Sequence, residues 1–139
     1  MDWKEYQYTS EFSLKNGIIH RPMVTIDILN GEKLLNCFSL IDSGTDSTLI
    51  NADYMDLLGI DSSKCKKVII GGVGESKSFG FIEKIKFKIE GFEQIFQTDA
   101  IFVKNLVTSG LLGQKDIFEN FKIRFEKKHR KFYLQREKK

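Results

Sequence analysis

Leu40-Ile41-Asp42-Ser43-Gly44-Thr45-Asp46-Ser47-Thr48-Leu49-Ile50 is the stretch on which the fold turns. A carboxylate, two kinds of hydroxyl and a glycine stand between two strongly apolar flanks. If Leu40-Ile41 and Leu49-Ile50 are buried strand ends, Asp42 sits in a turn held against the core. Gly44 lets the backbone come close to a neighbour or take a positive φ. A carboxylate in such a turn is partly desolvated, which raises its pKa unless hydroxyls and backbone amides bond its ionised form. Taken alone, the same residues also describe an Asx-turn between strands.

The surrounding chain reads as β. Tyr6–Thr9 and Met23–Ile28 alternate with period two, and Asn30-Gly31 supplies a hairpin turn before a strand over Leu34–Ile41. Ile85, Phe87 and Ile89 share one face, with Lys84, Lys86 and Lys88 on the other. Gly91 interrupts the pattern, and Ile95–Val103 resumes it. Phe121–Phe125 and Lys131–Leu134 form a last hairpin. Two segments read as helical: Asn51–Leu58, with Asn51 as N-cap and Gly59 as stop, and Lys115–Asn120. Many short strands with turn signals predict a mainly β domain, a small barrel or sandwich, rather than a βαβ fold.

Composition bounds the rest. The chain has 139 residues, 41% of them apolar, with 12 Phe and a single Pro. That predicts one folded domain over 1–139 with ample core, not disorder. No apolar run approaches the roughly 18 residues of a membrane span, and the N-terminus carries no secretory pattern. Cys37 and Cys65 stand apart, as do His20 and His129, which argues against a zinc site or a disulfide framework. The expectation is a cytoplasmic protein with no metal, no cofactor and no membrane partner. Net charge is 22 − 19 = +3, yet residues 121–139 hold nine Lys/Arg against Glu126 and Glu137. In Phe121-Lys122-Ile123-Arg124-Phe125 the charges alternate with apolar residues, as on a solvated strand face. No recognition motif accompanies them, so nucleic acid is not expected as a partner.

Two further stretches carry chemistry. Val68-Ile69-Ile70-Gly71-Gly72-Val73-Gly74-Glu75-Ser76-Lys77-Ser78 describes a β-hairpin with a glycine-rich tip. Gly71-x-x-x-x-Ser76-Lys77-Ser78 also approaches a phosphate-binding loop, but that loop must open a helix, and the residues that follow alternate as a strand. Ser109-Gly110-Leu111-Leu112-Gly113-Gln114-Lys115-Asp116 is a buried strand ending at a glycine and turning into a short helix. Gly113 permits a close backbone approach at that strand end.

In this order the three stretches resemble the retropepsin-like aspartic proteases, over about residues 21–125. The resemblance implies a small closed β-barrel of acid-protease type with a flap hairpin and one or two short helices. It implies that Asp42 is catalytic, that Ser43 braces the active-site loops, and that Gly44 and Thr45 support the turn. Gly71, Gly72, Val73 and Gly74 match the flap tip. Leu111, Leu112 and Gly113 match the strand behind the catalytic loop, and Ile41, Ile70, Val73 and Leu111 are candidates to line substrate pockets. The sequence departs from the retroviral pattern with Ser at 43, Thr at 45, and Gln114-Lys115-Asp116 where an Arg-led pair usually follows the glycine. The implied activity is endopeptidase cleavage of a peptide or protein. A single Asp-Ser-Gly in a chain too short for two lobes implies that the second aspartate comes from a homodimer. The Thr45 hydroxyl is expected to reach the Asp42 carboxylate and favour its ionised form. The alternative is a catalytically silent module of the same fold that binds peptide or dimerises.

Overall fold

Alternation along Met23–Asn30 decides how the sheet faces the core. Val24, Ile26 and Ile28 are buried at 1% exposure or less, while Thr25 and Asp27 between them stay half-exposed. Gly31 and Glu32 then reverse the chain between Asn30 and Lys33, one residue later than a turn centred on Asn30-Gly31, with Gly31 at φ +60°, the left-handed region that glycine enters without strain. The structure, a computed structural model, describes residues 2–71 and 77–137. Gly72, Val73 and Gly74 of the expected flap tip lie outside the described residues.

In chain order the strands are β1 (Lys4–Gln7), β2 (Thr9–Ser13), β3 (Gly17–Arg21), β4 (Met23–Asn30), β5 (Lys33–Ile41), β6 (Leu49–Asn51), β7 (Lys66–Gly71), β8 (Lys77–Ile89), β9 (Ile95–Val103), β10 (Gly110–Leu112), β11 (Phe121–Glu126) and β12 (Lys131–Arg136). The protein is mainly β. The main sheet runs β4-β5-β10-β6-β9-β8-β7, and the far end of β8 pairs with β4 as well, Ile26 opposite Ile89 and Ile28 opposite Phe87. Most pairs are antiparallel; β10 lies parallel to β5, and β6 parallel to β9. Inward side chains of these strands form one cluster with Ile50, Leu58, Phe87, Phe102, Leu112 and Ile117. Burying each of them stabilises the fold by about 1.5–3 kcal/mol.

The basic C-terminal segment folds as the sequence predicts for a solvated strand face. β11 and β12 pair, and β1 adds a third strand outside β12. Tyr6 stacks on Phe132 at 5.1 Å, which fixes β1 to this sheet. Lys131 lies 3.5 Å from Glu5, and Arg124 lies 3.3 Å from Glu126 with its guanidinium over Trp3 and Tyr133.

Two expectations need correction. Asn51–Leu58 is not a continuous helix: a 3-10 turn covers Ala52–Tyr54 and irregular turns follow. The ends are as read, since the Asn51 side chain accepts from Asp53 N at 2.9 Å and Gly59 takes φ +68°. The interior is too short to propagate a helix, and its form is set by burying Met55, Leu58 and Ile60. The second helical segment begins at Gln114 rather than Lys115, and Gln114–Phe118 is a single π-type turn. The β2–β3 hairpin was not anticipated, and Tyr6–Thr9 divides between β1 and β2 at Tyr8, whose N–H bonds Arg130 O. Lys77 begins a strand opposite Gly71 instead of opening a helix, which removes the phosphate-loop geometry.

Candidate active site

The parallel register of β5 and β10 sets Leu112 beside Ile41, and the next amide, Asp42 N, donates to Leu112 O at 2.9 Å. Asp42 is therefore the first residue off the strand. Its Oδ1 accepts from Gly44 N at 2.8 Å, closing the tight turn that the Asx reading describes. The Asx turn and the candidate catalytic loop are one structure.

A second segment straps this loop from behind. Gln114 N donates to Thr45 O and Lys115 N to Asp46 O, each at 2.9 Å, and the Gln114 side-chain amide reaches Ser43 O at 2.8 Å. The strap lies so close that a Cβ on Gly113 would stand 2.3 Å from Thr45 O. Gln114, which departs from the retroviral pattern, thus holds Ser43 through its carbonyl. Ser43 and Gly44 are exposed and Asp42 is half-buried.

Thr45 is placed differently from the expectation. Its hydroxyl donates to Ser47 O at 3.2 Å, within the loop, and not to the Asp42 carboxylate.

Asp42 opens onto a cavity of about 460 Å³ whose walls include Glu11, Arg21, Met23, Leu40, Val107, Thr108 and Leu111. Period two along the parallel strands explains which residues reach it. Leu40 and Leu111 face the cavity, whereas Ile41 and Leu112 point the other way into the core, at 5% and 0% exposure. Ile41 is accordingly a core residue rather than a pocket residue. Ile70 sits on β7 against Gly80, where its Cδ1 lies 3.1 Å from the position a Cβ would occupy. Asn51 steadies the segment carrying Val107 and Thr108, its N–H bonding Ser109 O and its side chain Leu106 O. A second cavity of about 440 Å³, beside Asp53, Asp56 and Lys104, contains no residue of the 42–46 loop.

The sequence reading missed Asp116. It is 5% exposed, and its Oδ2 accepts from the hydroxyls of Thr48 at 2.5 Å and Thr98 at 2.9 Å. A signal was present: Thr98 falls on the inward face of β9 between Phe96 and Ala100, and a buried polar position needs a partner.

No protein-family model matches the sequence, and no curated protein matches it. Solved structures do. A retropepsin-like aspartic protease from Rickettsia conorii superposes with a TM-score of 0.57 at 14% identity, over 96% of this chain and 91% of that one. The EIAV protease complexed with the inhibitor HBY-793 gives 0.54 at 19% identity, over 78% and 92%. The fold is that of the retropepsin-like aspartic proteases. Within it, Asp42 occupies the turn between β5 and β6, at the mouth of a cavity.

Proposed function

We propose that the protein is an aspartic endopeptidase whose catalytic pair is assembled from Asp42 of two copies of the chain. One observation carries the reading: in a retropepsin-like fold, a half-buried carboxylate is held by its own turn and by the 113–115 strap at the mouth of a cavity. Peptide hydrolysis of this kind needs one carboxylate to take a proton from water while a second gives one to the carbonyl oxygen. Two carboxylates about 3 Å apart do not both ionise readily, so they share a proton and titrate as a coupled pair. A two-fold axis beside Asp42 supplies the second member.

Around that pair, Ser43, Gly44 and Thr45 keep the loop in shape, and Leu111, Leu112 and Gly113 back it. The β7–β8 hairpin acts as the flap, closing over an extended peptide and excluding water. The ring of pairings β4-β5-β10-β6-β9-β8-β4 supports a closed barrel beneath the site.

The test is cleavage of a peptide mixture between about pH 4 and pH 7, with and without a pepstatin-like inhibitor. The wild type cleaves and is inhibited; Asp42→Asn retains the fold and loses cleavage. Equal residual activity in the two proteins rejects the enzyme, and peptide binding without cleavage leaves the silent module.

A further inference from the structure

We propose that Glu11 is a specificity-determining residue of the Asp42 cavity. It cancels the charge of Arg21, so that the cavity takes peptides with an uncharged side chain there and turns acidic ones away. The proposal rests on the reading of this cavity as a peptide site and deepens it by naming a substrate class.

The geometry comes from the β2–β3 register, which sets Thr9 opposite Arg21 and Glu11 opposite Ile19. Side chains two apart along a strand share a face, so Glu11 and Arg21 stand diagonally on one face, within reach of long side chains. Glu11 Oε2 lies 3.3 Å from Arg21 Nε. Both residues belong to the wall of the cavity that Asp42 opens onto, as do the apolar Met23, Leu40 and Leu111. Arg21 is the one cation among the described residues that line it. The pair, the carboxylate and the apolar wall all belong to a single chain.

The ion pair contributes little to the fold. Each side chain is 44% exposed, and ion pairs so placed add little stability. Among the described residues β2 and β3 pair only with each other, and backbone bonds hold the root of the hairpin, from Tyr8 N to Arg130 O and from Ile41 N to Pro22 O. Changing Glu11 therefore alters the wall and leaves the core alone. What the pair does set is the charge that a ligand meets. Without Glu11, the guanidinium is a lone cation whose planar fork fits a carboxylate.

The three kinds of side chain then separate. An uncharged apolar one gains by burial against Met23, Leu40 and Leu111. An acidic one finds Arg21 already engaged and meets the carboxylates of Glu11 and Asp42, a like-charge arrangement that rejects it. A basic one finds Glu11 engaged and sheds water against an apolar wall.

Three pools of short peptides test this, each randomised around one fixed residue, Leu, Glu or Lys. Mass spectrometry reads cleavage by the full chain, and retention on immobilised Asp42→Asn reads binding without cleavage. Wild type favours the Leu pool. Glu11→Gln raises the Glu-to-Leu ratio about three- to tenfold, the effect of one partly screened charge near the ligand, and Arg21→Gln raises the Lys-to-Leu ratio by a similar factor. Combining the two substitutions returns both ratios toward wild type, a reversal that mere loosening of the hairpin does not produce. High salt flattens both shifts. Glu32→Gln, in the β4–β5 turn, leaves the ratios as they were. A Glu-to-Leu ratio unmoved by Glu11→Gln overturns the proposal, as does a wild type that takes the Glu pool as readily as the Leu pool. Retention of no pool, or both single variants shifting the ratios in the same direction, overturns it too. The two readings fail separately. Ratios that follow Glu11 on Asp42→Asn while wild type cleaves nothing keep the charge selection and remove the protease; Asp42-dependent cleavage with ratios indifferent to Glu11 does the reverse.

Discussion

Gly113→Ala isolates the contact between the strap and the candidate catalytic loop. Gly113 has φ −108°, a conformation open to any L-residue, so backbone strain plays no part. At such a position Ala ordinarily stabilises by about 0.4–1 kcal/mol through the unfolded chain. Here the sign reverses. The new Cβ would meet Thr45 O at 2.3 Å, Ser47 O at 2.8 Å and Thr45 Cγ2 at 2.8 Å, where ordinary contact begins at 3.4 Å. Loop and strap must part by about 1 Å, and two of the three atoms are backbone, which cannot rotate aside. That separation also stretches the 2.9 Å bonds from Gln114 N and Lys115 N. Overpacking of about 1–3 kcal/mol, with about 0.5 kcal/mol for each of the two weakened bonds, gives a loss of about 2–4 kcal/mol. In a domain of this size the thermal midpoint falls by roughly 6–12 °C. In the proposed protease, a 1 Å displacement of Asp42 lowers cleavage by about a hundredfold. Gly44→Ala is the control for unfolding alone, since its Cβ meets only Asp42 Oδ1, at 3.1 Å in its own turn, and leaves the strap contact untouched. Thermal unfolding and peptide cleavage are the assays. A Gly113→Ala midpoint within about 2 °C of wild type refutes the reasoning.

Asp116→Ala leaves the Thr48 and Thr98 hydroxyls buried without an acceptor and destabilises by about 2–5 kcal/mol in urea unfolding, whereas Asp116→Asn keeps an acceptor oxygen and loses about 1 kcal/mol; equal losses would dismiss the hydroxyl clamp. The Tyr6 hydroxyl donates to Glu90 O, and burial, with the nearby Glu90 charge, pushes its pKa from 10.0 up to about 12. The neutral phenol is the form the fold favours, so this contribution is complete below pH 10 and disappears as pH rises from 10 to about 12. Urea midpoints should therefore fall more steeply across that range in wild type than in Tyr6→Phe; parallel curves would count against it. Thr45→Ala removes one bond inside the loop, for about 1 kcal/mol or less, and leaves the pH–rate profile in place. A shifted profile would mean that the hydroxyl reaches Asp42 in the active assembly.

What could be read from the sequence is what lies close together along it. Asp42 to Gly44 close their turn within three residues, and Asn30-Gly31 marks the β4–β5 hairpin to within one residue, the loop itself being Gly31 and Glu32. Ile95–Val103 carries enough alternating residues to place β9 at the bounds found. The missed features depend on distant partners or on weak local patterns. β1 is four residues long and gains its place from pairing with β12 at the other end of the chain. The hairpin over β2 and β3 has large apolar side chains on its exposed face, so inward and outward positions are not separable by hydrophobicity. The 51–58 segment shows the converse: both end signals were right, and the helix between them still failed to form, because tertiary burial of Met55 and Leu58 outweighs propensity over so short a run.

Asp116 ties these scales together. One carboxylate oxygen collects hydroxyls from Thr48, at the exit of the candidate catalytic loop, and Thr98, on β9, while its own residue belongs to the strap. Side chains alternate along a strand, so a slip of β9 by one residue would turn Thr98 outward and set Gln97 or Asp99 toward the core. Asp116 would then be buried with a donor missing or with a second carboxylate beside it, at a penalty of several kcal/mol. The same slip would turn Phe96, Ala100 and Phe102 out of the core, so the hydroxyl bonds add a directional penalty to a register that apolar burial already specifies. Polar cluster and apolar face together fix β9 against β6, β6 fixes the exit of the loop, and a buried carboxylate thereby bears on the position of Asp42.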